Sequence, residues 1–147
     1  MSDAAVTRHT DDEHAICLAQ TEYRDAINAA DPERALAVIA EYLAWMRDSE
    51  PSFWGREGRR ALHAWIKRIA KAGMQLTIVP DNTLIYGANA TARGWEILRP
   101  KDTDPARPEE QRFRYFQTWE KSQDGQWRMT SFICNKDVPP AMLEEEL

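Results

Sequence analysis

The chain has 147 residues, 43% hydrophobic and 29% charged, which fits one globular domain and excludes a disordered one. A formal net charge of -5 excludes the basic surface that phosphate binding needs, so no nucleic-acid partner is expected. No apolar run approaches the ~20 residues that cross a bilayer, and the opening residues lack the apolar core of a secretory signal, so no membrane partner is expected.

Residues 1 to about 10 are polar and unpatterned, and read as a loose arm. From Asp11 the apolar positions Ile16, Ala19, Tyr23, Ile27 and Ala30 recur in steps of three and four, which predicts an amphipathic helix. Asp31 is a good cap and Pro32 a good first residue for a short second helix, ending near Ala40. "YLAWM" reads as a brief strand and "RDSEPSFWG" as a loop. Leu62, Trp65, Ile66 and Ile69 form the stripe of a third helix that opens at Gly55 and stops at Gly73.

After Gly73 the period changes to two. "MQLTIV" and "NTLIYG" are strand pieces separated by a break at Pro80, and "NATARGWEIL" is their hairpin partner. A proline-rich loop follows, and then "RFRYFQTWEK" and "QWRMTSFICN" form a last hairpin across "SQDG". Three helices followed by a meander indicate an α+β fold, with a curved, mainly antiparallel sheet carrying the helices on one face. Residues 11–140 form the single domain and 141–147 a tail.

The last strand is apolar on both sides. With Tyr115 taken as inward, its strand also points Phe113, Gln117 and Trp119 inward. The preceding strand would then add Thr91, Arg93, Trp95 and Ile97, and the last strand Thr130, Phe132 and Cys134, with Arg128 near the open end. The outward set would be Trp127, Met129, Ser131 and Ile133 with Phe116 and Thr118. That set is too apolar for water, which predicts a homodimer through the outer sheet face. The inward set describes an aromatic cavity with a few convergent polar groups, the profile of a small-molecule site. Within it Arg93 needs a carboxylate or an anionic ligand if buried, and only solvent if it lies at the rim.

Cys17 and Cys134 lack metal-ligand spacing and read as two reduced thiols of a cytoplasmic protein. No Gly-rich phosphate loop, metal cluster or Ser-His-Asp set appears, so neither a metal nor another cofactor is expected.

Four stretches, "YRDAINAADPERALAVIAEYLAWM", "WGREGRRAL", "GANATARGWEIL" and "FQTWEKSQDGQWRM…NKDVPP", resemble the nuclear transport factor 2-like superfamily, and within it the small SnoaL-like domains. The resemblance covers about Ile16 to Pro140. It implies a conical half-barrel wrapped around three N-terminal helices, and commonly a homodimer. The superfamily includes ketosteroid isomerases, polyketide cyclases, limonene epoxide hydrolases, scytalone dehydratases and non-catalytic binders, so the fold does not choose the function.

Ketosteroid isomerases keep a tyrosine eight residues before the Asp that opens the second helix, and Tyr23 matches it. His63 stands where they keep a second tyrosine, and Tyr115 where they keep a protonated acid. Their general base falls near Arg47 and Asp48, where this chain is one residue shorter. The paired acids and arginine of limonene epoxide hydrolases are not reproduced around Arg93 and Trp95.

Two functions follow. One is proton-transfer catalysis (isomerisation, cyclisation or dehydration) of an apolar, oxygen-bearing molecule, with Tyr23 and Tyr115 as hydrogen-bond donors and His63 or Asp48 as base. The other is a binding or dimerisation module that keeps the cone without a working base. Trp45, Trp54, Arg93, Trp95, Gln117 and Trp119, together with Thr130, Phe132 and Cys134, are the expected ligand wall. For each, a plain alternative stands beside the site role: core packing for Tyr23, a structural hydrogen bond for His63, and a solvated loop carboxylate for Asp48.

Overall fold

The structure, a computed structural model, describes residues 3–102 and 110–138, with side chains from Thr10 onward. Helix α1 (Asp3–Asn28) starts at Asp3 rather than Asp11. The supposed arm holds Ala4 and Ala5 and neither glycine nor proline, so nothing in it opposes helix propagation. The expected tail, residues 141–147, lies outside the described residues. Helix α2 (Pro32–Leu36) is capped by Asp31, whose carboxylate accepts from the Arg34 backbone N–H at 3.1 Å. It stops short of Ala40 because the chain joins the sheet: the Val38 carbonyl already accepts from Met129 N–H at 3.0 Å.

Strand β1 (Ile39–Met46) follows, then α3 (Arg56–Lys71) and the four long strands β2 (Met74–Tyr86), β3 (Asn89–Pro100), β4 (Gln111–Lys121) and β5 (Trp127–Lys136). The sheet order is β1-β5-β4-β3-β2, with β1 parallel to β5 and every other pairing antiparallel. Helix α1 packs on β2 and β5, and α3 on β1 and β2, so the helices fill one face of an unclosed five-stranded sheet. Pro80 does not end β2. The strand passes it through a bulge, where Pro80 pairs with Gly94, Asn82 with Arg93, and Asp81 is the extra residue.

Two close approaches fix how helices and strands nest. At Gly58 of α3 a Cβ would lie 1.8 Å from the Leu43 carbonyl oxygen, so only glycine lets α3 sit this near β1. At Gly94 of β3 a Cβ would lie 2.7 Å from the Tyr115 hydroxyl, because the tyrosine ring lies across the bare glycine of its cross-strand neighbour.

The apolar character of β5 on both sides has a local cause. Thr118 pairs with Ser131 but Trp119 pairs with Met129, which leaves Thr130 as an extra residue. This bulge switches the inward phase of the strand. Phe132 and Cys134 are inside on one side of it, and Met129 and Trp127, at 0% and 4% exposure, are inside on the other. The expected outward placement of Trp127 and Met129 is therefore corrected, as is the inward placement of Thr130. Its hydroxyl lies 2.6 Å from that of Thr118 beside the outer face.

Strand β3 is also turned over. Glu96 pairs with Phe113, Gly94 with Tyr115 and Ala92 with Gln117, and cross-strand partners share a face. The inward residues are Ala90, Ala92, Gly94, Glu96 and Leu98, all buried. Thr91, Arg93, Trp95 and Ile97 belong to the other side. Small side chains leave room for the β4 aromatics, which is why the larger, more apolar set faces out.

Candidate functional site

Seen from the end where β2 begins and β5 finishes, the inner face is a stack of layers. Glu96 and Phe113 form an upper layer, Gly94, Tyr115 and Cys134 the next, and Ala92, Gln117 and Phe132 a third. Arg47 follows directly on β1, continuing the inward alternation of Leu43 and Trp45. Its Nη1 donates to both Glu96 oxygens, at 3.0 and 3.1 Å. Both side chains are 3% exposed.

Four rings surround this guanidinium. Its carbon lies 4.2 Å from the Trp65 centroid, 5.1 Å from Phe113, 5.6 Å from Phe132 and 5.7 Å from Trp45. Trp45 stacks on Phe132 at 4.9 Å, and Tyr115 lies parallel to Phe132 at 6.2 Å. Burial raises the Glu96 carboxyl above its ordinary range, and the Arg47 charge and hydrogen bonds pull it back. Burial works against the charge on Arg47 as well, and Glu96, together with Cys134 and Tyr23, more than offsets it. A guanidinium does not give up its proton near neutrality, so we take the pair as ionised.

The hydroxyls of Tyr23 and Tyr115 are fully buried and have no hydrogen-bond partner among the described residues. Burial, and then the nearby Glu96 charge, pushes both phenols well above their ordinary range. Each is a neutral donor at pH 7. Burial likewise pushes the Cys134 thiol from 9.0 up to about 12, so it is no thiolate nucleophile.

Above the Arg47–Glu96 pair a cavity of about 520 Å³ opens at the mouth of the cone. Trp65, Ile69, Met74, Leu98 and Phe113 make its apolar wall, and Asp48, Glu50, Arg68 and Lys136 its rim. A larger cleft of about 950 Å³ runs along the β1 edge, past Tyr42 and Trp54; neither opening is lined by Tyr23, Tyr115 or Glu96, which lie beneath the smaller one. Arg47 is the member of the buried pair that reaches the smaller one, forming part of its lining.

The residues singled out from the sequence divide accordingly. Tyr23, Tyr115, Trp45, Phe132 and Cys134 come together in the interior with Arg47 and Glu96. Gln117 and Trp119 are inside but committed: Gln117 Oε1 accepts from Gln20 Nε2 and from Trp119 Nε1, both at 3.0 Å. Asp48 sits on the rim in water. There the Lys136 backbone N–H and the Ser49 hydroxyl hold it below its ordinary pKa.

His63 lies elsewhere, in a surface cleft beside α2, with Nε2 3.5 Å from Glu33. Trp54 is exposed on the β1 edge. Arg93 faces out and pairs with Asp81 at 2.8 Å, and Trp95 stands outside beneath the Arg112 guanidinium at 5.5 Å. Arg47 and Glu96 were not singled out as site residues from the sequence. The signals were present: Arg47 extends the Leu43–Trp45 alternation, and Glu96 follows Ala90, Ala92 and Gly94 at two-residue spacing. Among the described residues no three metal-ligating side chains gather, and no helix is long and apolar enough to cross a membrane.

The SnoaL-like domain family model matches residues 21–129. An NTF2-like protein with a cystatin-like fold from Novosphingobium aromaticivorans superposes with a TM-score of 0.76 at 18% identity, covering 96% of this chain and 92% of its own. A proposed dehydratase of the NTF2-like family from Streptomyces avermitilis gives 0.70 at 15% identity, covering 88% and 99%. A ketosteroid isomerase-like protein from Erwinia carotovora atroseptica gives 0.66 at 16%, covering 86% and 96%. At these identities the likeness to the solved structures establishes the fold. No curated protein matches the chain.

The buried thiol and phenols make the fold sensitive to alkali. A folded state that holds the Cys134 proton to about 12, against 9.0 for an ordinary thiol, has the resulting stabilisation in full below pH 9. It loses that stabilisation as pH rises from about 9 towards about 12, and Tyr23 and Tyr115 act with the same sign. The urea midpoint is expected to fall across this window. Tyrosinate absorbance before unfolding should have the same amplitude in wild type and in Tyr23→Phe/Tyr115→Phe; a smaller amplitude in the folded double variant would contradict the assignment.

Proposed function

This chain belongs to the SnoaL-like domain family, and we propose that it uses the cone to bind a small, largely apolar, oxygen-bearing molecule. The observation that carries this reading is the pair of buried phenol hydroxyls, 1% and 4% exposed by residue, with no hydrogen-bond partner among the described residues. A buried donor left unsatisfied costs about 1–3 kcal/mol, and a ligand oxygen would remove that cost. The apolar wall at the mouth suits the body of such a ligand, and a cavity of about 520 Å³ falls in the range of small-molecule sites.

Proton transfer is the second reading, favoured by Glu96. It is a carboxylate in a dry interior beside two neutral phenol donors, and burial raises its pKa towards the range useful for a base. It replaces His63 and Asp48 in that role, since one lies beside α2 and the other in water. The dehydratase and isomerase-like names among the structural neighbours are compatible with this chemistry. Without it the protein is a binder. Both cysteines are free thiols, and the same reading assigns the protein to the cytoplasm.

We further propose a homodimer through the outer face, now resting on Val79, Trp95, Phe116 and Ile133 rather than on Trp127 and Met129.

Binding is tested by calorimetric titration with 2-acetonaphthone, a flat neutral ketone. Tyr115→Phe and Tyr23→Phe should each weaken it by about 1–3 kcal/mol, with His63→Ala unchanged. No binding, or equal affinity in all four proteins, would remove the interior from the site. For assembly, light scattering at micromolar concentration should give twice the 17.0 kDa of one chain, and Phe116→Glu should return the monomer. A wild-type monomer at that concentration contradicts the dimer.

A further inference from the structure

The way Arg47 spends its donors narrows the ligand class. A guanidinium carries five N–H groups on three nitrogens. Glu96 takes only Nη1, through both of its oxygens. Nε lies 3.8 Å from a Glu50 oxygen, beyond hydrogen-bond distance, and Nη2 donates to nothing among the described residues. The residue is nevertheless 6% exposed and lines the floor of the mouth cavity, as Glu50 lines its rim. A deeply buried arginine thus keeps one whole edge, Nε with Nη2, uncommitted beside Glu50. That edge is the one that matches a carboxylate through two parallel hydrogen bonds.

The rim is arranged around the same point. Glu50 is held from the far side by Arg68, whose Nη2 lies 2.6 Å away. Glu50 is a partly exposed loop residue that can turn towards Arg68 and water. The Lys136 ammonium lines the rim and donates no hydrogen bond among the described residues. Asp48 is occupied by the Lys136 backbone N–H and the Ser49 hydroxyl. Arg47, Arg68 and Lys136 balance Glu96, Glu50 and Asp48, so one added anion is admitted only where an internal carboxylate gives way. Glu50 is the side chain in that position.

We propose that the polar end recognised at this mouth is a carboxylate, which docks on the Nε–Nη2 edge of Arg47 in place of Glu50. The ligand class is then a small aromatic or alicyclic monocarboxylic acid, its ring against Trp65, Ile69 and Phe113. The proposal rests on the binding reading above and adds the charge of the ligand to it.

Calorimetry of 2-naphthoate against 2-acetonaphthone, the same ring with a neutral carbonyl, separates the two claims. Wild type should bind the acid at least tenfold more tightly than the ketone. Glu50→Gln removes the internal competitor and should tighten 2-naphthoate roughly two- to fivefold, the size of a partly exposed charge pair, while leaving the ketone unchanged. Arg47→Lys keeps a positive partner for Glu96 but lacks the second edge, and should lose most of the preference for the acid. Glu50→Gln alters only the rim, so it remains informative if Arg47→Lys does not fold. Ketone bound as tightly as the acid, or Glu50→Gln without effect on the acid, overturns the carboxylate proposal and leaves ligand binding standing. Failure of both probes overturns both.

Discussion

The Arg47–Glu96 ion pair is the constraint on which the interior depends. Both charges are withdrawn from water, and the cost of doing so is recovered only while Nη1 spans the two carboxylate oxygens inside a shell of aromatic faces. That requirement reaches into three elements. Strand β1 must deliver Arg47 inward at its end, β3 must present Glu96 rather than Trp95, and α3 must bring Trp65 to within 4.2 Å of the guanidinium. Gly58 makes the last of these feasible, since any side chain there would strike the Leu43 carbonyl and push α3 away from β1.

The same pair organises the chemistry around it. Its charges are among the causes that set the protonation of Tyr23, Tyr115 and Cys134, all three of which stay neutral at ordinary pH. Below the pair lies a buried layer with two hydroxyls unpartnered among the described residues; above it lies an open mouth with an apolar wall. This is an interior built from one ionised pair and several neutral donors, with no thiolate. The family fold permits many functions, so function has to be argued from this set of groups rather than from the fold.

Much of the architecture was legible because helices and ordinary strand runs declare themselves by period. The Leu62–Trp65–Ile66–Ile69 stripe of α3 is buried as its spacing requires, and Phe113, Tyr115, Gln117 and Trp119 all face inward on β4. The site was less legible, for two physical reasons. A bulge at Thr130 reverses the alternation of β5, so residues that belong on opposite faces of a regular strand share the core. On β3 the inward residues are mostly small or charged, because Tyr115 and its neighbours fill the space, so nothing in their hydrophobicity marks the inner face, and a one-residue slip in register exchanges the two faces. Arg93 and Trp95, expected on the cavity wall, therefore lie on the other face, and Glu96 is the one carboxylate buried among the described residues. His63 sat at the right spacing for a family position but on the side of α3 that meets α2.

A double-mutant cycle on Arg47 and Glu96 tests the central claim most directly. Unfolding free energies would be measured by urea denaturation for wild type, Arg47→Met, Glu96→Leu and the double variant. Each single change strands a buried charge and should cost about 3–5 kcal/mol. The double change leaves an apolar interior and should cost at least about 2 kcal/mol less than the sum of the two. Strictly additive losses, or single variants as stable as wild type, would show that the two charges do not hold the interior together.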